Sequence, residues 1–275
     1  MGLNEFINKG AIMNRALRTA ATGMFGQQLN VDIIANNLAN VNTTGFKKSR
    51  PEFQDLMYQS LKPSETSDNP NLQQSTGIQI GNGTVPVATP KSFAQGDIQP
   101  TNNTLDAAIQ GDGFFQIRRT DGTTAYSRDG SFKISGEGML TTSQGYIVEP
   151  GLSIPSDTTS VSITQDGTIN ATVAGQSSPS KVGQLELAKF VNPVGLNPIG
   201  GNLYTETPAS GKPILGTAGN EGFGELMPGS LESSNVDVVE EMVNMIVAQR
   251  AYEINSKTIQ TVEDMLTMAN NLQRG

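Results

Sequence analysis

The chain has 275 residues, a net charge of −8 and only 16% charged residues, against roughly 25% in ordinary globular proteins. Cys, His and Trp are absent, which removes thiol catalysis, thiolate and imidazole metal sites and any Ser-His-Asp triad. The acidic balance argues against nucleic acid as a partner, and no cofactor or metal is expected.

Met1 to Arg18 holds Asn4, Glu5, Asn8, Lys9, Asn14 and Arg15, with no apolar core of about seven residues, so it does not read as a cleaved secretory signal. The longest unbroken apolar run, Met245 to Ala248, falls far short of the roughly 18 residues of a spanning helix, and no membrane insertion is expected.

From Met13 to about Val41, residues Leu17, Ala21, Met24, Gln28, Val31, Ala35 and Leu38 recur at alternating steps of four and three. That pattern predicts a helix with a heptad seam, interrupted once by Gln28. Gly45 supplies the stop. Two seam positions are Ala, so the helix is thin and needs a partner. Lys47, Lys48 and Arg50 form the only basic cluster, expected to lie on a solvated or subunit-facing turn.

Gln59 to Pro100 is rich in Ser, Thr, Asn, Gln and Pro, the composition of a linker or extended arm. Within it Ile78, Ile80, Val85 and Val87 alternate as in a strand that needs burial. The expected arm carries a charged tip around Lys62 to Asn69 and touches a neighbouring copy.

The centre reads as β structure. Alternation at Phe115–Ile117, Phe132–Ile134, Val161–Ile163, Ile169–Val173 and Leu185–Leu187 predicts strands, and Asp121-Gly122, Asp129-Gly130 and Asp166-Gly167 read as turns. No EF-hand or nonapeptide spacing makes calcium ligands of these Asp residues.

At the C-terminus, Ser234 to Asp237 reads as a capping box. Met245, Ala248, Tyr252, Asn255, Ile259, Val262, Leu266 and Ala269 then repeat the three-and-four spacing. Two such seams enclosing a Gly-rich centre point to helices that pair with each other and then with other copies. The fold expected is α+β: N- and C-terminal helices paired as a coiled-coil-like domain, with a central all-β domain. The expected boundaries are an extension at 1–12, a helix at 13–46, the arm at 47–100, the β domain at 101–230 and the second helix at 231–275.

Ala35-Asn36-Asn37-Leu38-Ala39-Asn40-Val41-Asn42-Thr43-Thr44-Gly45-Phe46-Lys47 resembles the N-terminal signature of the bacterial flagellar rod and hook proteins. Ser234 to Val243 and Gln249 to Lys257 resemble their C-terminal signature, and Asp106 to Phe115 with Tyr126 to Phe132 resemble their central domain. The length falls with the rod subunits rather than the longer hook subunits. The resemblance begins at Met13, so Met13 is the expected natural initiator, or residues 1–12 a tolerated extension.

The resemblance implies a structural subunit that polymerises with itself into a helical tube. Its other implied partners are further rod subunits, the hook subunit, the peptidoglycan-ring and outer-membrane-ring proteins, and the flagellar export apparatus. It places the product in the basal body, exported without a cleaved signal. The two seams would then be subunit interfaces, with Asn36, Asn37, Asn40 and Asn255 as register-fixing hydrogen-bond formers, a role that competes with simple fraying of the first helix for Asn36, Asn37 and Asn40.

Two other classes stay open on the residues alone. A secreted β-rich binding module could use the helices only to form a small closed oligomer. A carboxylate hydrolase would need two acids, such as a pair among Asp106, Asp112, Asp121 and Asp129, across a cleft.

Overall fold

The computed structural model describes residues 3–62, 78–174, 179–220 and 222–274. The charged tip expected between Pro63 and Asn69 lies outside them, as do the side chains of residues 3–14. The chain is α+β and divides into two compact units. One holds residues 1–36, 49–90 and 239–275; the other holds 37–48 and 91–238.

The first unit is built on two helices, α1 (Leu3–Ala39) and α2 (Val238–Arg274). The backbone of α1 is helical from Leu3 onward. The helices face each other through small residues. A Cβ on Gly23 would lie 3.0 Å from Asn255 Nδ2, so a larger residue there would have to displace the Asn255 amide. Further along α1, Gln28 and Val31 share a groove with Gln249, Tyr252 and Glu253 of α2. Rising numbers on α1 meet falling numbers on α2, so the pair is antiparallel.

A long hairpin lies against α1. Glu52–Asp55 pairs with Thr84–Ala88, and Tyr58–Lys62 pairs with Ile78–Gly81. The Phe53 ring packs beside Gly26, Thr84 N–H donates to Thr22 Oγ1 at 3.4 Å, and Arg15 Nη1 donates to Gln59 Oε1 at 3.1 Å. The strands form where the alternation predicts, but burial does not follow. Ile78, Val85 and Val87 are exposed and Ile80 is half-buried, because a two-stranded ribbon covers one face only.

Among the described residues the second unit is mostly β, with a short 3-10 turn at Pro193–Gly195. Its main sheet runs Asn197–Gly200, Leu203–Thr205, Thr124–Ser127, Phe114–Arg118, Ile147–Val148, Leu140–Thr142, Phe132–Ile134, with Glu186–Lys189 also paired to Phe114–Arg118 and to Ile214–Thr217. A three-stranded sheet, Thr158–Ile163, Thr168–Val173 and Ser180–Gln184, covers it. Between them Phe115 and Phe132 meet edge to face at 4.9 Å, packed with Ile109, Leu140, Ile169, Leu187 and Leu226.

Asp121-Gly122 closes one hairpin and Asp166-Gly167 another, each glycine at φ +81°. The Asp166 carboxylate accepts from the Thr164 and Thr168 hydroxyls and the Thr168 N–H. These bonds, the Thr164 hydroxyl foremost, hold its pKa down at about 2, so the acid serves the turn.

Within the second unit the chain makes a buried clasp. Lys47 Nζ sits 2.6 Å from Glu232 Oε1 with neither side chain exposed, and Arg128 Nη1 approaches Glu232 Oε2 at 3.4 Å. Lys47 also donates to Ala94 O at 2.8 Å, and Gly96 N–H donates to Glu232 Oε1 at 2.9 Å. Burial pushes the Lys47 ammonium down while Glu232 opposes the shift. The expected solvated basic turn is therefore wrong for Lys47, whose charge is wholly internal. A buried carboxylate at its tip makes that possible.

The neighbouring motif residues each have a partner. Thr44 Oγ1 donates to Asp129 Oδ1 at 3.0 Å, and Asn202 Nδ2 donates to Thr44 O at 2.9 Å. Gly45 N–H donates to Glu232 O at 2.8 Å, and Lys48 N–H donates to Asn235 Oδ1 at 2.8 Å. Asn235 Nδ2 in turn donates to Ser92 O and Ala94 O. Gly45 has φ +66°, and a Cβ there would lie 2.7 Å from Asp129 N, so both turn and packing demand glycine. The capping box is corrected too: α2 begins at Val238, and Ser234 Oγ accepts only from Val236 N–H at 3.4 Å. Ser234 and Asn235 are committed to the clasp segment, which delays the helix.

Candidate assembly surface

The predicted seams fall on different sides of their helices. On α2, Ala248 and Val262 are buried, and Met245, Asn255, Ile259, Leu266 and Ala269 are half-buried, while Tyr252 is 42% exposed. Apart from Tyr252, that seam is the inner face turned to α1. Ala251 takes the inner position beside Tyr252, which instead borders the groove holding Gln28 and Val31.

On α1 the inner face runs one residue earlier than the predicted seam. Ala20 and Ile34 are buried, whereas Ala21, Gln28 and Ala35 are exposed and Leu17, Met24, Val31 and Leu38 are half-buried. A one-residue shift rotates a helix face by about 100°. Among the asparagines, Asn36 is exposed, Asn40 half-buried with Thr43 Oγ1 donating to its Oδ1 at 3.2 Å, and Asn37 only 1% exposed. Asn37 is closed by the chain's own packing.

A face that the seam reading missed carries a run of exposed apolar residues. Val239, Met242, Val243, Ile246, Val247 and Ile254 of α2 are all exposed, Val239 to 70% and Ile254 to 65%. Met265 and Met268 continue it. A second apolar periodicity on the same helix was its only sequence signal. The hairpin adds Met57 at 85%, Tyr58 and Val87. Exposed apolar residues gathered on one helix face, as on α2, mark an interface.

The four carboxylates that could have served hydrolysis are occupied structurally. Asp106 is buried and accepts from Thr101 Oγ1 at 2.6 Å and Asn103 Nδ2 at 2.9 Å. Asp112 pairs with Lys189 at 3.1 Å, Asp121 caps its own turn through Thr123, and Asp129 receives Thr44 and Ser131 N–H. Among the described residues no helix is long and apolar enough to cross a membrane.

Two antiparallel helices from opposite chain ends with an apolar outer face, and a β unit with its own core, define a subunit built for packing against other chains. Residues 17–47 match the family described as flagella basal body rod protein. Residues 108–171 match the flagellar hook protein FlgE/F/G D1 domain, and 227–272 match the flagellar basal body rod FlgEFG protein C-terminal. The flagellar basal-body rod protein FlgG of Borreliella burgdorferi is 53% identical over 95% of this chain and 100% of its own length. That of Caulobacter vibrioides is 45% identical over 94% of this chain and 99% of its own. In Bacillus subtilis the rod protein FlgG is 39% identical and the flagellar hook-basal body complex protein FlhP 30%, each over 95% of this chain. The chain belongs to the flagellar basal-body rod protein family, and its role is that of a structural component of the flagellum.

Proposed function

We propose that the chain is the subunit of the distal segment of the rod, polymerising through its terminal helices into a hollow helical tube that carries motor torque to the hook. The exposed apolar face of α2 carries this reading: Met242, Val243, Ile246, Val247 and Ile254 are apolar and more than half exposed, the chemistry of an interface. A heterologous contact that does not close on itself propagates into a filament. Torque is borne by many repeated contacts, so the reading calls for no reactive site and the chain acts without catalysis. The greater identity to FlgG than to the hook-basal body complex protein of the same Bacillus favours the distal segment over a paralogous one.

In this reading the subunit lies in the periplasm-spanning rod, leaves the cytoplasm through the flagellar export apparatus, and meets other rod subunits, the hook subunit and the two ring proteins. The hairpin from Glu52 to Ala88, with its exposed Met57 and Val87, lies against an adjacent copy and stiffens the tube. Electron microscopy of concentrated full-length protein tests the assembly. Open-ended filaments are expected, and a small closed oligomer would favour the binding-module class instead.

A further inference from the structure

Apart from the inner faces, each helix of the first unit carries a second seam that is wholly exposed. On α1, Arg18, Ala21, Phe25, Gln28, Asp32 and Ala35 follow at alternating steps of three and four, and every one is exposed. On α2, Val247, Arg250, Ile254, Lys257, Thr261 and Asp264 do the same. At 3.6 residues per turn, each outer seam is centred roughly 140° from the inner face of its helix. The two outer seams therefore cannot meet within the α1–α2 pair, whose contact is made by the inner faces.

Their charges are spaced alike. Arg18 and Asp32 stand fourteen residues apart, as do Arg250 and Asp264, and each pair runs from positive to negative along the chain. Laid parallel in this register, the seams set like charge on like. Laid antiparallel, Arg18 faces Asp264 and Asp32 faces Arg250, and both matches fall in one register about 21 Å apart. That register also sets Ala21 opposite Thr261 and Ala35 opposite Val247, a small residue against a larger one each time. Phe25, 61% exposed, comes opposite Lys257, where an ammonium over an aromatic face is attractive. Arg250 pairs with Glu253 at 2.8 Å, a solvated i,i+3 pair with both side chains largely exposed, which yields readily to a better-placed acid.

We infer that α1 of one copy pairs antiparallel with α2 of the next along these outer seams, in the register fixed by Arg18 with Asp264 and Asp32 with Arg250. The inference rests on the reading that copies assemble through their terminal helices, and it names the faces and the alignment. Charges at such a seam set orientation and suppress wrong registers more than they add affinity.

Charge reversal in the full-length chain tests it, read by pelleting polymer over a series of concentrations. Asp32→Arg and Arg250→Asp should each raise the concentration needed for assembly by about tenfold or more. The double variant should return to within about threefold of the original. Val247→Asp, on the apolar part of the same face, serves as the control and should block assembly. If Val247→Asp blocks assembly but the double variant stays as poor as the single ones, this pairing is overturned while helix-mediated assembly stands. If Val247→Asp assembles like the parent chain, both are overturned.

Discussion

Lys47 and Glu232 stand 185 positions apart in the chain and meet with Nζ 2.6 Å from Oε1, both fully buried. The contact joins the two segments that carry the terminal family signatures. Glu232 also answers Arg128, so one carboxylate is shared by two cations. Glu232→Gln would leave Lys47 buried without its anion and remove the carboxylate that Arg128 approaches, and should cost about 3 to 5 kcal/mol. Lys47→Met leaves Glu232 paired with Arg128 and should cost less. Urea unfolding followed by near-ultraviolet dichroism measures both, and equal losses from the two variants would show that Arg128 does not share the carboxylate.

Gly45 makes the same junction sensitive to a single methyl. An alanine there must hold φ near +66° and place its Cβ 2.7 Å from Asp129 N and 2.8 Å from the Arg128 carbonyl carbon. The left-handed conformation alone costs about 1 kcal/mol, and the clash adds to it because both partners are backbone. Gly45→Ala should lose more than about 2 kcal/mol in the same unfolding assay. A loss under 1 kcal/mol would mean the turn relaxes freely.

The helices, the β centre and the order of elements were legible because each follows a local period, 3.6 or 2, that the residues spell out. The hairpins at Asp121-Gly122 and Asp166-Gly167 were legible for the same reason: positive φ is written in Gly. The clasp was not. Lys47 reads as a surface charge until Glu232, nearly two hundred residues on, arrives beneath it, and no periodicity links the two. Which residues of α1 are closed within the chain was less legible, because Ala20 and Ala21, or Ile34 and Ala35, fit a seam almost equally, and only Ala20 and Ile34 are buried.

The helix pair offers little buried apolar surface. On α2 only Ala248 and Val262 among its apolar residues with described side chains are buried, and helices so thinly packed open easily. In dilute monomer, amide exchange should be fast through most of α1 and α2. The clasp segments at 42–48 and 230–236 should stay protected with the β unit. Ile259→Asp, on the half-buried inner face, should leave β-unit stability unchanged and abolish assembly. Strong protection along both helices in the monomer would refute this coupling.

The hairpin can be probed without touching the core. Val87 is 62% exposed on the outer side of its strand, so Val87→Asp should change monomer stability by no more than about 0.5 kcal/mol. If the hairpin lies against a neighbouring copy, the same change puts an unpaired charge in an apolar contact. Filaments should then form only at raised concentration, or be more flexible by electron microscopy. Filaments of unchanged stiffness and yield would make the hairpin a mere spacer.

Alkaline pH gives a separate handle on the β unit through Tyr204. Its ring packs edge to face with Phe93 at 5.3 Å, and it is only 2% exposed. Burial pushes the phenol up to about 12, with Arg128 opposing. In the unfolded chain the group ionises near 10. Between those values the folded state keeps a proton that the unfolded state has lost, so stability must fall as pH rises through the window. The full difference is worth about 2 to 3 kcal/mol, reached above about pH 12. Lys47 works the other way. Its lowered value makes the folded state lose a proton first, so it favours folding as pH rises, and that gain levels off only above the ordinary lysine value. Decline above 10.5 therefore reports Tyr204, with Tyr126, also pushed up by burial, as the second contributor. Urea midpoints measured at about pH 9, 10.5 and 11.5 should drop steeply in the parent chain and less in Tyr204→Phe. Identical slopes in the two proteins would place the alkaline transition on another group.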